Sequence, residues 1–239
     1  MMSLELKMTI LDNITIVLPA YNEFLALSNH KKYIINFAEK NPNIDLLFVD
    51  NGSKDKTFDI IKEISGSNKN IYFLRIKTNK GYGDGIYKGI LFSKTKFVGW
   101  MASDFQVTFE DFLKGVSKIK NDKSFVKSMR NKRGLLDVFF TKSMGLLCSV
   151  LFLYKFNDIN STPTITNRDL FINEINIPKN FSFDFFAYYL AKKKNYEIIR
   201  FKLDYKDRKY GSSTWNRSFF SRISLSLKTI INILKIRLF

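Results

Sequence analysis

Three short polar clusters supply carboxylate, amide and hydroxyl side chains that could bind a ligand in this chain of 239 residues. Each directly follows a predicted strand, and the clusters are Tyr21-Asn22-Glu23, Asp50-Asn51-Gly52 and Ser103-Asp104-Phe105-Gln106. In an open α/β sheet, ligands bind at the carboxyl ends of the strands. We therefore expect the three clusters to converge on one edge of a sheet and to form a ligand site there.

Two further segments contain candidate residues of other kinds. Asp184 stands in the apolar segment Phe181–Phe186, where burial would raise its pKa and suit it to act as a general base. The alternative is that Asp184 caps the helix that follows. The glycine-rich segment Lys80–Gly85 precedes a predicted helix, whose N-terminal N–H groups could approach an anion. Its spacing matches neither a Rossmann nor a P-loop motif, and a plain strand-to-helix turn explains it equally well.

The elements that must position these residues alternate between strands and helices in the first half of the chain. The predicted strands are Ile14–Leu18 (ended by Pro19), Ile44–Val49, Ile71–Ile76 and Phe97–Met101. This alternation predicts an α/β fold with a mostly parallel central sheet and helices on both faces. The second half is less regular, with predicted helices Leu135–Tyr154, Phe183–Lys194 and Trp215–Phe239 and a strand Ile198–Tyr205.

Composition limits the classes of protein that the chain can belong to. A hydrophobic content of 45% excludes a disordered protein. The single cysteine excludes a disulfide framework, and the single histidine excludes a His-rich metal centre. The net charge of +17 is uneven: residues 1–120 hold 17 basic and 13 acidic side chains, whereas residues 121–239 hold 22 and 9. This excess predicts binding to phosphates, to a polyanion or to an anionic lipid surface.

Five segments of the chain resemble, in order, the motifs of a known family. They are Val17–Glu23, Val49–Asp55, Asn79–Gly83, Gly99–Gln106 and Arg208–Trp215. They resemble the family 2 glycosyltransferases of the GT-A (Rossmann-like) fold, above all the dolichyl- or polyprenyl-phosphate sugar transferases and their bacterial relatives. The resemblance implies a glycosyltransferase domain over residues 1–217, followed by a basic amphipathic C-terminal helix over residues 218–239.

The resemblance also implies a reaction of the hexosyltransferase type. The acceptor oxygen would attack the anomeric carbon of a nucleotide-diphosphate sugar and invert its configuration. The residues it places around the donor are Pro19, Tyr21, Glu23, Asp50, Lys80, Gly81, Ser103 and Ser213. The residues it places in catalysis are Asp104, Asp184, Arg130 and Arg208.

The metal motif of the family is incomplete in this chain. The family usually has Asp-x-Asp followed by a glutamine, and here Ala102 replaces the first acid while Asp104 and Gln106 remain. Asp104 and Gln106 are therefore the expected ligands of a divalent cation, Mg²⁺ or Mn²⁺, both of which prefer oxygen ligands. The replacement leaves two alternatives open, a weaker metal site or a loss of activity.

Basic residues of the second half are expected to bind phosphate. By resemblance, Arg130 and Arg133 fall where related enzymes bind the phosphate of the acceptor, and Arg208 falls in a loop that closes over the diphosphate or the acceptor. The planar guanidinium suits phosphate because it pairs bidentately and stays charged. For Arg130 and Arg133, a solvated basic loop is the alternative.

The basic, apolar C-terminal helix suggests a place for the protein in the cell. We expect it to lie at a membrane interface, with packing against its own domain or another subunit as the alternative. No signal peptide or membrane-spanning segment is apparent. The predicted protein is cytoplasmic and peripheral on the inner face of the cell membrane, and its acceptor is a polyprenyl phosphate or a lipid-linked envelope glycan.

Three other interpretations stay open from the sequence. One keeps the fold with a soluble acceptor, and another is a non-catalytic relative, suggested by Ala102. A nucleic-acid-binding protein would explain the charge, but no nucleic-acid motif is present and nucleic acid is not the expected partner. The sequence also leaves a homo-oligomer open.

Overall fold

A computed structural model describes residues 10–11, 13–131, 134–210 and 219–237 of the protein, and for residues 135–136 and 219–227 it describes the backbone alone. The first half alternates strands and helices as expected. Its elements are β1 (Ile14–Ala20), α1 (Phe24–Lys40), β2 (Ile44–Asn51), α2 (Thr57–Ser65), β3 (Ile71–Ile76), α3 (Tyr82–Phe92) and β4 (Phe97–Trp100).

The second half adds three strands and four helices within the described residues. They are α4 (Phe109–Val116), β5 (Ser124–Asn131), α5 (Leu135–Phe152), β6 (Thr164–Asn167), α6 (Phe183–Lys193), β7 (Glu197–Asp204) and α7 (Phe219–Arg237). A short 3₁₀ helix, Arg168–Phe171, follows β6.

The seven strands form one sheet in the order β3-β2-β1-β4-β6-β5-β7. All neighbouring pairs are parallel except those of β6, which runs antiparallel to both β4 and β5. One apolar cluster lies between the sheet and helices α1, α2 and α4. A second lies on the other face, beneath α3, α5, α6 and the buried side chain of Ile233 in α7. The predicted α/β class, with a mostly parallel sheet covered on both faces, is confirmed.

Several predicted boundaries were wrong. β1 continues through Pro19 to Ala20, because Pro19 lies in register with Val49 of β2 and the strand ends only where the polar cluster begins. Helix α3 was expected to follow the segment Lys80–Gly85, but it begins within that segment, at Tyr82. Helix α4 and strands β5 and β6 were not predicted, and β6 has only four residues in which a strand pattern could show.

Candidate active site

A cavity of about 600 Å³ lies at the carboxyl ends of β1, β2 and β4, the edge where the polar clusters were expected to meet. Among the predicted site residues, those that line it are Pro19, Tyr21, Glu23, Gly81, Ser103, Asp104 and Arg208. Ala102, which stands in place of the first acid of the metal motif, lines the same cavity. The convergence follows from the parallel sheet, because all three strands run toward this edge.

Hydrogen bonds tie the loop after β1 to the loop after β2. Asn22 has a left-handed backbone (φ 56°). Its N–H donates to Ser53 Oγ (3.0 Å), and its Oδ1 accepts from the N–H of Lys54 (2.9 Å). The N–H of Glu23 donates to Thr57 Oγ1 (2.8 Å). These bonds hold the backbone of Glu23 at the rim of the cavity.

Arg208 links two of the carboxylates that were expected to bind donor and metal. Its Nη2 donates to both oxygens of Glu23 (2.6 and 2.7 Å), and its Nη1 lies 3.7 Å from Asp104 Oδ2. The guanidinium is held from behind by a bond from Nε to the carbonyl of Tyr210 (2.9 Å). The guanidinium of Arg208 is therefore the shared counter-ion of Glu23 and Asp104 in the cavity.

The carboxylates of Glu23 and Asp104 are 15% and 11% exposed. Burial raises the pKa of Glu23, and the charge and hydrogen bonds of Arg208 oppose that rise without cancelling it. Burial likewise raises the pKa of Asp104, against a hydrogen bond from the backbone of Gln106 and the charge of Arg208. Both acids are thus poised to gain from a further cation or hydrogen-bond donor.

Gln106 is not brought into the cavity. Its Nε2 donates to the carbonyl of Lys206 (3.1 Å), and only its backbone N–H reaches Asp104 Oδ1 (3.2 Å). The described part of the chain holds no group of three or more Asp, Glu, His or Cys side chains suited to a metal ion. The donor set at the expected metal position is therefore the single carboxylate of Asp104. This set fits a hard cation that takes most of its ligands from a diphosphate and water.

Asp50 lies beside the cavity rather than on its wall. The residue is 1% exposed, and its Oδ1 accepts from the N–H of Ser53 (3.0 Å). Arg75 Nε lies 3.6 Å from Oδ2, an oxygen that has no hydrogen-bond partner among the described residues. The neighbouring Asn51 lines the cavity instead.

The turn into α3 requires a glycine at position 81. Gly81 has φ 120°, and a Cβ there would lie 2.3 Å from the carbonyl oxygen of Lys179. Its carbonyl accepts from Asn51 Nδ2 (2.9 Å), and its N–H donates to Asn79 Oδ1 (2.8 Å). Lys80 is exposed and does not line the cavity. The N–H of Gly81 is thus already bonded within the chain.

Asp184 is 3% exposed and does not line the cavity. Its Oδ1 accepts from Trp100 Nε1 (2.9 Å) and lies 3.6 Å from Lys127 Nζ. It is not the helix cap that sequence reasoning left open, because Ser182 stands at that position. Sequence reasoning missed both Trp100 and Lys127, since neither a tryptophan nor a lysine in a strand indicates a distant partner.

Arg130 lies apart from the cavity, at the end of β5. Its backbone N–H (2.7 Å) and its Nε (3.0 Å) donate to the carboxylate of Asp158, which Nη2 also contacts. Burial alone would lower the pKa of Arg130, but the bonds and charge of Asp158 outweigh it and raise the pKa. A separate cavity of about 200 Å³ lies here, lined also by Val138 and Lys142. Arg133 and Ser213 lie outside the described residues.

The C-terminal helix contributes to the cavity at the strand ends, which was not expected from the sequence. Lys228, Thr229 and Asn232 of α7 line it, and Ile233 is buried against the domain. On the outer side of α7, Ile231 is 55% exposed. No helix within the described ranges has the length and apolar character needed to cross a membrane.

Helix α5 presents an apolar outer face. Four of its residues or immediate neighbours are between 64% and 86% exposed, at spacings that place them on one side of a helix: Phe139, Leu146, Val150 and Leu153. Lys142 lies exposed between them. Apolar patches of this kind mark interaction surfaces.

Comparison with known proteins identifies the family of the chain. Residues 15–190 match the model of the family described as glycosyl transferase family 2. A dolichyl-phosphate beta-glucosyltransferase from Dictyostelium discoideum is 32% identical over 112 residues, which are 43% of this chain and 34% of that protein. A dolichyl-phosphate beta-glucosyltransferase from Trichomonas vaginalis is 23% identical over 251 residues, covering 95% of this chain and 73% of that protein. The match to the Dictyostelium enzyme thus spans about a third of its length.

Solved structures share the fold at low sequence identity. Glucosyl-3-phosphoglycerate synthase from Mycobacterium tuberculosis, solved with Mn²⁺, UDP-glucose and phosphoglyceric acid, has a TM-score of 0.71 at 18% identity, over 97% of this chain and 82% of that one. Mannosyl-3-phosphoglycerate synthase from Rubrobacter xylanophilus has a TM-score of 0.72 at 16% identity, and the match covers 95% of this chain and 74% of that one. The sheet, its cavity and the family match agree: the chain belongs to glycosyl transferase family 2 and has the GT-A fold.

Proposed function

We propose that the protein transfers a sugar, with inversion, from a nucleotide-diphosphate sugar to a polyprenyl phosphate or a lipid-linked glycan at the inner face of the cell membrane. The observation that carries the proposal is the position of Arg208 between Glu23 and Asp104 in the cavity at the strand ends. The guanidinium of Arg208 lies beside two carboxyl groups whose pKa values are raised. A cation in this setting suits a diphosphate that must be bound and then released.

In this proposal the donor lies in the cavity of about 600 Å³. Pro19 and Tyr21 face the base, and Glu23 accepts hydrogen bonds from the nucleoside. Arg208 donates to the diphosphate once the nucleoside engages Glu23. Asp104 would hold Mg²⁺ or Mn²⁺, which supplies charge neutralisation to the leaving diphosphate. Ser213 remains a predicted contact of the donor.

The acceptor half of the proposal places an ionised oxygen opposite the diphosphate. A phosphate acceptor needs positioning and charge stabilisation more than deprotonation, because it is already ionised near neutral pH. Lys142 supplies positive charge beside the smaller cavity, at the foot of the apolar face of α5, and Arg130 lies there too, paired with Asp158. A lipid phosphate combines the two features that this region offers, an anionic head and an apolar chain. The name of the Dictyostelium relative supports the same acceptor class.

A donor-binding screen followed by an acceptor assay tests the proposal. Thermal shift with UDP-glucose and Mn²⁺ should raise the unfolding temperature of the wild-type protein. Release of UDP should then require dolichyl phosphate in detergent micelles and should fall at least about tenfold in Asp104→Ala. Turnover with 3-phosphoglycerate but not with dolichyl phosphate would replace the lipid acceptor by a soluble one. Absence of binding for every nucleotide sugar tried would overturn the proposal.

Membrane attachment requires its own test. In this proposal the outer face of α5 and the outer side of α7 contact anionic lipid, because exposed apolar side chains and lysines occur together there. Sedimentation with phosphatidylglycerol vesicles should be lost in Phe139→Glu/Leu146→Glu. Leu25→Glu is the matched control, since Leu25 is 56% exposed on α1, across the sheet from α5. Equal sedimentation of all three proteins would contradict the attachment.

A further inference from the structure

The cavity at the strand ends has a wall that the family match does not cover. Residues 15–190 match the family model, whereas Lys228, Thr229 and Asn232 of helix α7 line the cavity. Thr229 is 6% exposed and Ile233, one helical turn further on, is 1% exposed, so these two side chains hold α7 against the domain. Lys228 and Asn232 are also one turn apart and lie on one side of the helix. A packed helix therefore presents both of these polar side chains to the cavity.

The charged groups of the cavity are not equally engaged. Within the described residues, the lining has two carboxylates, Glu23 and Asp104, and two cations, Arg208 and Lys228. Arg208 donates to Glu23 and lies 3.7 Å from Asp104, so it already has two counter-charges. Lys228 is exposed, and its Nζ makes no hydrogen bond or ion pair with a residue that the structure describes. An incoming anion can therefore meet Lys228 without displacing a carboxylate.

Lys228 has the chemistry of a phosphate contact. An ammonium group carries three donors and no acceptor, so its strongest partners are anionic oxygens. Lysine binds phosphate as a point charge on a flexible stem, which lets it follow a group that shifts position. The side-chain amide of Asn232, which makes no hydrogen bond within the described part of the chain, can donate beside it.

An exposed lysine on a helix needs no ligand to explain it, and Lys235 of α7 is a lysine of that kind. Lys235 is exposed and does not line the cavity. Lys228 differs from it because it lies on the cavity wall, one turn from a second polar side chain and in the same cavity as an arginine that is already paired. These two lysines of one helix therefore form a matched pair for comparison.

We propose that Lys228 binds a phosphate oxygen of a substrate in the cavity at the strand ends, so that the C-terminal helix supplies a binding residue of the reaction. This inference deepens the proposed function and rests on it, because the phosphate belongs to the nucleotide-diphosphate donor or to the lipid-phosphate acceptor. Both sources offer an anionic oxygen. They differ in what they carry, a nucleoside or a lipid, so separate measurements distinguish them.

Isothermal titration calorimetry with UDP and with inorganic pyrophosphate, in EDTA and with Mn²⁺, tests the donor as the source. Lys228→Met should weaken the binding of both probes by about 3- to 20-fold, the loss of one charged hydrogen bond at an exposed site. Lys235→Met should bind them like the wild type, and Lys228→Arg should keep most of the affinity because it keeps the charge. Uridine, which lacks the phosphates, should bind Lys228→Met and the wild type equally.

Steady-state kinetics with UDP-glucose and dolichyl phosphate test the acceptor as the source. If the acceptor phosphate is the partner, Lys228→Met should raise KM for dolichyl phosphate by about the same factor and leave the affinity for UDP unchanged. The variant should fold normally, because Lys228 is exposed. A variant with unchanged affinity for both probes and unchanged KM would overturn the proposal, as would an equal loss in Lys235→Met.

The outcomes separate this inference from the proposed function. If Lys228→Met weakens pyrophosphate binding while the wild type transfers no sugar to any acceptor, the proposed function fails and the role of Lys228 as a phosphate contact stands. If the wild type and Lys228→Met transfer sugar to dolichyl phosphate with the same constants, the reverse holds. A wild type that binds neither probe and transfers no sugar would overturn both.

Discussion

The replacement Arg208→Met should destabilise the protein in a pH-dependent way. The guanidinium bonds both oxygens of Glu23 at 2.6 and 2.7 Å, and both side chains are at most 20% exposed. Loss of one partner from a fully buried pair costs about 3–5 kcal/mol, so partial burial gives about 2–3 kcal/mol near pH 7. Methionine keeps most of the length of the side chain, which limits the contribution of lost packing.

The sign of the pH dependence follows from the raised pKa of Glu23. An acid whose pKa is higher in the folded state than in the unfolded state costs stability when it ionises, and removal of Arg208 raises that pKa further. The deficit of the variant should therefore be largest near pH 7.5 and should shrink toward about 1 kcal/mol near pH 4.5, where Glu23 is mostly protonated.

Urea unfolding followed by circular dichroism measures this difference at each pH. Lys209→Met is the matched control, because Lys209 is the exposed neighbouring cation and its loss should change the unfolding free energy by less than about 0.5 kcal/mol. A deficit that is the same at both pH values, or one matched by the control, would refute the assignment of Arg208 as the counter-ion of Glu23.

Three further predictions concern the interior. Gly81→Ala should lower stability by about 2–4 kcal/mol in thermal unfolding, because the new Cβ would lie 2.3 Å from the carbonyl oxygen of Lys179. Gly134→Ala is the control and should change stability little, because a Cβ there has no neighbouring atom within 4 Å. Burial lowers the pKa of Lys127 to about 8. Lys127 therefore binds its proton more tightly in the unfolded protein than in the folded one. Between about pH 8 and pH 9.5, the unfolding free energy of the wild type should rise relative to that of Lys127→Met, by up to about 1.4 kcal/mol per pH unit. A difference that stays constant with pH would contradict this prediction. Burial raises the pKa of Cys148 to about 12, so iodoacetamide at about pH 8 should label it only after unfolding, and rapid labelling of the native protein would show the thiol to be accessible.

The charge of +17 has a more specific meaning once the structure is known. Arg208 and Arg130 are engaged by Glu23 and Asp158, so two of the arginines expected to bind phosphate already have counter-ions. A phosphate that binds to either must compete with a carboxylate.

Local pattern was sufficient for the N-terminal half of the fold and for the location of the site. Short apolar runs separated by helical periodicity define β1 to β4, and in a parallel sheet the residues after each strand must meet at one edge. The sequence therefore predicts that Glu23, Ser103 and Asp104 lie together. Four of the five family motifs lie at these same strand ends, which is why the family could be identified from the chain.

Tertiary structure alone decided the partners of these residues. Arg208 meets Glu23 across 185 positions of sequence, and Trp100 meets Asp184 across 84. The short antiparallel β6 inserts between β4 and β5, and α7 returns to line the cavity. Periodicity reports only whether a side chain faces an apolar core, because it depends on the local backbone. Which charge neutralises Lys127 or Glu23 depends on how distant segments pack, and no local pattern contains that information.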